Sequence, residues 1–351
     1  MIEFVTPPKL HSGEQLAIIA PSSGGAAEAP HILELGKERL ESRFGIDVTV
    51  HPTARQSDSY LREHPKARAA AIHEVFKDSD IGAVMATIGG DDQLRVLDYL
   101  DPEILRSNPT RFFGLSDNTN LSLYLWNCGI VSYNGLSVLS DIATPGPFPE
   151  YTEQYLERAL FEESLGELEA SDYWFDMTEG WDQSKAKFSS AEPEYHENKG
   201  WRWAGAEDAV TGRLWGGCLA IVRWHLMSDR YLQDPERLDG AVLALETAET
   251  LPDADRVRWF LMAMGERGLL QRFDGVMVGR PATEAWFNRR DESDRKRFRQ
   301  EQREAILSQV NRYNPNATVV LDVDFGHTNP GVAIPIGGKV TLEPGKRIVF
   351  K

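Results

Sequence analysis

Short apolar runs recur along the first half of the chain: "QLAIIAP", "DVTVHP", "GAVMATIGG", "RFFGLS" and "IVSYNG". Each is rich in β-branched or aromatic residues, and helical patterns such as "HPKARAAAIHEVFKDSD" lie between them. That alternation predicts βαβ units and a parallel sheet. From about Pro145 to Trp203 the periodicity degrades into aromatic, acidic and glycine-containing sequence, including "SDYWFDMTEGWDQSKAKF" and "YHENKGWRWAG". A connecting segment with a long functional loop is expected there. Regular patterning resumes with "VTGRLWGGCLAIVRWHLMS", the strand "GAVLALETAE" and an amphipathic helix near "DADRVRWFLMAMGERGLL". The strand "DGVMVGRP", the charged helix "RRDESDRKRFRQEQREAILSQV" and "ATVVLDVDFGH" follow. Together they predict a second, mixed α/β domain, whose tail "VAIPIGGKVTLEPGKRIVF" should close a small sheet or barrel as a hairpin. The expected division is an N-terminal α/β domain over 1–165, a connecting segment and aromatic loop over 166–205, and a C-terminal domain over 206–351.

Composition narrows the function classes. A length of 351 residues suits two domains, and 41% hydrophobic with 26% charged residues excludes a disordered or fibrous chain. The formal charge of -16 repels phosphate backbones and anionic lipid surfaces, so neither nucleic acid nor a membrane is an expected partner. The start "MIEFVTPPKL" lacks a basic region followed by an apolar run, and no apolar stretch reaches the roughly 20 residues that span a bilayer, so a cytoplasmic location is expected. Cys128 and Cys218 form neither a disulfide framework nor a metal-ligand pattern and read as reduced core residues.

Candidate chemistry begins at "RFFGLSDNTNLSLYLW", where Ser116 sits at the passage from strand to helix. A hydroxyl exposed on such a turn has the next backbone N–H groups and the helix dipole facing a developing oxyanion. Asn118 replaces the second glycine of the familiar G-x-S-x-G elbow, and Ser116 could equally cap the helix that begins at Asp117. A nucleophilic serine needs a base. His64, His73 and His196 have bland surroundings, whereas His327 follows "TVVLDVDFG" at a strand's carboxyl end, where open α/β sheets place their ligands. An orienting carboxylate is available in Glu246, at the end of the apolar strand in "AVLALETAET", with Glu249 as its competitor. "ATIGGDDQLRVLDYL" reads as strand, Gly89-Gly90, then helix, a turn able to offer N–H groups to an anion. It lacks the lysine of a phosphate loop and the spacing of a dinucleotide fingerprint.

Taken in order, "GEQLAIIAPSS", "IGGDD", "GLSDNT", "VTGRLWGGCL", "ALETAE", "FGHTNP" and "IPIGG" resemble the LD-carboxypeptidase and microcin-immunity family of serine peptidases, the MccF-like branch in particular. The resemblance implies a flavodoxin-like parallel-sheet N-terminal domain, a smaller mixed, β-rich C-terminal domain, a site between them and a homodimer. It implies Ser116 as nucleophile, Glu246 as acid and His327 as base, without metal or organic cofactor. Backbone N–H groups of Asp117 and of the Gly89-Gly90 turn would form the oxyanion hole.

Residues and resemblance agree on amide hydrolysis through a serine, with an acid limb expected at an ordinary histidine pKa of roughly 6 to 7. The substrate stays open between peptidyl- or aminoacyl-nucleotide analogues and the terminal D-alanine of murein tetrapeptide. Trp174, Trp181, Trp201 and Trp203, crowded into one loop, favour the first because flat rings suit a heterocycle. They could instead anchor the loop. Two other classes remain: a non-catalytic small-ligand-binding protein, and a divalent-metal hydrolase using Asp322, Asp324 and His327 from "DVDFGH". Apolar neighbours speak against that metal site and for buried structural carboxylates.

Overall fold

A computed structural model describes residues 3–232, 234–345 and 347–351. The five apolar runs of the first half form strands β1 (Gln15–Ile19), β2 (Asp47–Val50), β3 (Ile81–Ala86), β4 (Arg111–Gly114) and β5 (Ser132–Asn134). They pair in parallel in the order β2-β1-β3-β4-β5, the flavodoxin-like arrangement. Near-complete burial of β1, β3 and β4 explains why they read as continuous apolar runs instead of alternating ones. The crossover helices carry the expected punctuation. Pro30 opens the helix Pro30–Phe44 and Gly45 ends it at φ 64, while Pro65 opens Pro65–Lys77.

The second half builds an eight-stranded sheet from β6 (Glu167–Leu168), β9 (Arg202–Gly205), β10 (Val210–Cys218), β11 (Ala241–Glu246), β12 (Phe273–Gly279), β13 (Thr318–Val323), β16 (Lys339–Glu343) and β17 (Arg347–Phe350). Its order is β6-β17-β16-β10-β11-β12-β13-β9, with β10 to β13 parallel and the flanking strands antiparallel. Three short strands, β7 (Tyr173–Asp176), β8 (His196–Glu197) and β14 (Thr328–Asn329), form a separate sheet that ties the aromatic segment to the stretch just after His327.

Two details depart from the sequence expectation. The C-terminal tail is split: β16 and β17 form the expected hairpin, but β15 (Ile334–Ile336) leaves to pair antiparallel with β5 of the first sheet. The stretch after Gly89-Gly90 is not one α-helix but two short 3-10 turns, Gln93–Arg95 and Leu97–Tyr99. Asp92 and Gln93 direct their N–H groups to the Asp117 carboxylate, which competes with a continuous helix.

The carboxyl end of β10 meets the start of the helix Thr119–Asn127 that follows β4. Gly217, at φ 140, is obligatory there, because a Cβ would lie 2.7 Å from the Thr119 side chain. Cys218 donates its N–H to Thr119 Oγ1 at 3.0 Å, and His225 Nε2 lies 2.9 Å from Asn120 Oδ1. These contacts fix β10 and its following helix against the helix that Ser116 introduces.

Candidate active site

Ser116 occupies the turn between β4 and the helix Thr119–Asn127 with φ 63, a left-handed conformation that costs a non-glycine residue about 1 to 3 kcal/mol. The turn is paid for by Asp117, whose buried carboxylate gathers three segments of chain. It accepts hydrogen bonds from the Ser22 hydroxyl, from the Asp92 N–H at 3.2 Å, from the Gln93 N–H at 2.9 Å and from Asn120 Nδ2 at 2.7 Å. Burial outweighs these donors and pushes its pKa up to about 6. The loops after β1, β3 and β4 are thus bound to one oxygen pair beside the serine. Sequence reading treated Asp117 as a backbone donor and missed this side-chain role; an aspartate directly before an apolar helix, with two serines and two aspartates in neighbouring loops, was the available signal.

Gly89 touches the serine. A Cβ at Gly89 would sit 2.7 Å from Ser116 Cβ, 3.1 Å from Oγ and 3.3 Å from the Asp117 nitrogen. Gly90 is turned elsewhere, toward Ser22 and Ser23, so the two glycines do not share one environment. The Gly89 carbonyl accepts from Ser23 Oγ at 2.6 Å, which holds the glycine loop in place.

On the opposite sheet, Glu246 ends β11 and is fully buried, and its Oε2 lies 2.6 Å from His327 Nδ1. Gly279 and Gly326 make room for this carboxylate: at Gly326, φ 102, a Cβ would approach Glu246 Cβ to 2.8 Å. His327 Nε2 does not meet Ser116 here. It lies 3.1 Å from Glu249 Oε2, and the Glu249 side chain is 46% exposed. The two glutamates that competed in the sequence therefore take opposite edges of one imidazole. Burial works to lower the His327 pKa, but Glu246 first and Glu249 next outweigh it and hold the imidazolium well above the ordinary histidine value. An acid limb governed by this imidazole would lie above the roughly 6 to 7 expected of an unperturbed histidine. Burial alone would raise Glu249, and its contact with His327 instead holds it low. Asp141, also unforeseen, is buried nearby and held by Ser137 and Ser140, with burial raising its pKa and His327 lowering it.

The four tryptophans separate. Trp181 lies beside Gly25 and Ile88, one residue before Gly89; a Cβ on Gly25 would come within 3.5 Å of its ring. Trp174 is buried against His196, with the Arg299 and Arg280 guanidiniums over its ring. Trp201 donates its indole N–H to Asp324 at 2.8 Å, and Trp203 lies on β9 opposite Val320. Asp324 also pairs with Arg280, and Asp322 with Arg303, so both aspartates proposed as metal ligands are engaged by arginines. No group of three or more His, Cys, Asp or Glu suited to a metal occurs among the described residues.

Residues 16–135 match the LD-carboxypeptidase N-terminal domain and residues 211–342 the LD-carboxypeptidase C-terminal domain, together most of the chain. The protein belongs to the LD-carboxypeptidase family. It is a peptidase of the serine type. Among relatives of this family member, the microcin C7 self-immunity protein MccF of Escherichia coli is 23% identical over 94% of this chain and 91% of its own length. A Bacillus subtilis protein described as "probable murein peptide carboxypeptidase" is 29% identical over 45% of this chain and 48% of its own. The crystal structure of an MccF-like protein from Streptococcus pneumoniae in complex with AMP superposes with a TM-score of 0.84, at 24% identity, over 96% of this chain and 98% of that one. Among the described residues no helix is long and apolar enough to cross a membrane.

Proposed function

We propose that this LD-carboxypeptidase family member hydrolyses the amide bond of peptidyl- or aminoacyl-nucleotide analogues through Ser116, Glu246 and His327. The observation that carries the reading is the buried Glu246 carboxylate 2.6 Å from His327 Nδ1, at the carboxyl end of a central strand. A carboxylate there fixes the tautomer that leaves Nε2 free to act as base, once the proton held toward Glu249 has gone. Neutral Nε2 takes the Ser116 proton as Oγ attacks the carbonyl carbon. The oxyanion is met by the Asp117 N–H and the glycine loop, with Gly89 the member beside Ser116. His327 then returns the proton to the leaving nitrogen; in the second half it takes a proton from water as the water oxygen bonds to the acyl carbon, and it gives that proton to Ser116 Oγ as the ester C–O bond breaks.

The nucleotide-linked reading is supported by Trp181, placed next to Ile88 and the glycine loop, and by the AMP named for the Streptococcus pneumoniae structure. Trp174, Trp201 and Trp203 are held by arginines, Asp324 and β13, which suits loop anchors better than base-stacking surfaces. A second reading, release of terminal D-alanine from murein tetrapeptide, is favoured by the murein relative.

Mass spectrometry of products after incubation with an aminoacyl sulfamoyl adenosine and with a murein tetrapeptide separates the two. Cleavage of the first substrate should dominate. Ser116→Ala, His327→Ala and the double variant should each lose about 10⁴- to 10⁶-fold in turnover, without additivity, because the two side chains act as a unit. Near-normal turnover by Ser116→Ala would end the serine mechanism, and cleavage of the tetrapeptide alone would replace the substrate.

A further inference from the structure

Two strands away from Glu246, at the β13–β9 edge of the sheet, a cavity of about 330 Å³ opens between the helix Glu292–Tyr313 and the loop before β9. Its walls hold six basic side chains, Lys199, Arg202, Arg280, Lys296, Arg299 and Arg303, against two acidic ones. None of Ser116, Glu246 and His327 lines it. A chain with a net charge of -16 does not collect six cations around one hollow as a by-product of composition. Mutual repulsion in such a cluster has to be offset by something.

The acidic residues present offset only part of it. Asp322 is claimed by Arg303, with Nη2 at 2.9 Å, and more distantly by Arg202 at 3.6 Å. Arg280 is 3% exposed and spends Nη2 on Asp324 at 2.8 Å and on the Asp322 carbonyl at 3.2 Å. Its Nη1 is buried and makes no hydrogen bond among the described residues. An unsatisfied buried guanidinium N–H is costly, and the Arg280 side chain that carries it is one of those lining the hollow. Arg299 is half-buried, stacked 4.8 Å from the Trp174 ring, and has no carboxylate within ion-pair distance among the described residues. Burial and the Arg303 charge depress its pKa, with Asp176 and Asp322 compensating in part. Lys199 likewise has no ion-pair partner there.

We propose that this cavity is a binding site for a multiply charged phosphate-class oxyanion, separate from the Ser116 centre and independent of the substrate reading given above. Guanidiniums reaching one hollow from β9, the end of β12 and the long helix approach from different directions. A tetrahedral phosphate, with acceptor oxygens on every side, accommodates them better than a planar carboxylate does. Trp174 serves as a fixed backing for Arg299 and Arg280, and its burial leaves no ring face for a base to stack on. The phosphate chain, and not the nucleoside, is therefore the recognised element.

Isothermal titration of the full-length protein at low ionic strength with inorganic pyrophosphate and with ADP tests the proposal. Pyrophosphate should bind with a Kd of about 1 mM or tighter, and both Arg299→Ala and the exposed Lys296→Ala should weaken it, the arginine by about 10- to 100-fold. Comparable affinities for the two ligands are expected, because the phosphate chain alone is recognised; a clear preference for ADP overturns that reading, since it requires contact with the nucleoside. Labelling of Ser116 by a fluorophosphonate should proceed at the wild-type rate in both variants. Absence of pyrophosphate and ADP binding up to about 10 mM, or affinities unchanged in both variants, overturns the site.

Discussion

Glu249→Gln isolates the one contact that stands between His327 and its role as base. In the free protein His327 Nε2 lies 3.1 Å from the Glu249 carboxylate, while Nδ1 is held by Glu246. An opposite charge so close commonly shifts a pKa by about 1 to 3 units. The side chain is nearly half exposed, but the Oε2 that faces the imidazole is itself buried, so solvent screens the pair little. Replacing the charge by an isosteric amide should therefore lower the His327 pKa toward the ordinary histidine value, so that the base is freed at a higher proton concentration. The sign follows from the base being the neutral imidazole: the acid limb of kcat/KM, which reports the free enzyme, moves to lower pH, and below the limb the variant is faster than wild type. Stability changes in the same window. A histidine raised above its unfolded value contributes stability that is complete below about pH 6.5 and is lost as pH rises through the folded pKa, so the variant should melt earlier than wild type in acid and alike in alkali. The assay is the rate of fluorophosphonate labelling of Ser116 from pH 5 to 9, repeated as kcat/KM on the preferred amide substrate. Glu246→Gln is the companion: it should lose activity at every pH because the imidazole loses its orienting charge. An acid limb that stays put in Glu249→Gln would show that Glu249 does not hold the imidazolium, and a Glu249→Gln protein dead at all pH with a normal Glu246→Gln would exchange their roles.

Gly89→Ala should react at Ser116 about 10²- to 10³-fold more slowly and lower the melting temperature, because its methyl group would press on Ser116 Cβ and on the Asp117 N–H beside it; normal labelling would remove Gly89 from the nucleophile's surroundings. Trp181→Ala should weaken kcat/KM for the aminoacyl adenosine analogue by roughly 5- to 150-fold while hardly changing a substrate without a base. Equal losses on both substrates, or loss only with unfolding, would make Trp181 a loop anchor like Trp174, Trp201 and Trp203.

What the sequence determined by itself was everything that local patterning encodes. The buried parallel strands had to be continuous apolar runs, and Ser116, Glu246 and His327 had to stand at strand ends, because those positions follow from apolar patterning bounded by turn chemistry. Ordered motifs along both halves carried the family. Tertiary structure decided the rest, where residues far apart in the chain compete for one partner. Only the fold could show that Glu246 and Glu249 grip opposite edges of one imidazole, since three residues of separation says nothing about direction at a strand end. Only the fold could bind Ser22, Asp92 and Gln93 to the Asp117 carboxylate and so cut a helix into short turns. The tail strand β15 crosses to the first sheet because its hydrogen-bonding edge is completed by β5, a non-local pairing that no alternation of polar and apolar positions specifies. Of four tryptophans that looked alike in one loop, Trp174 was fixed by an arginine from a distant helix and Trp201 by an aspartate after β13, and that long-range charge arrangement is what no reading of neighbours along the chain supplies.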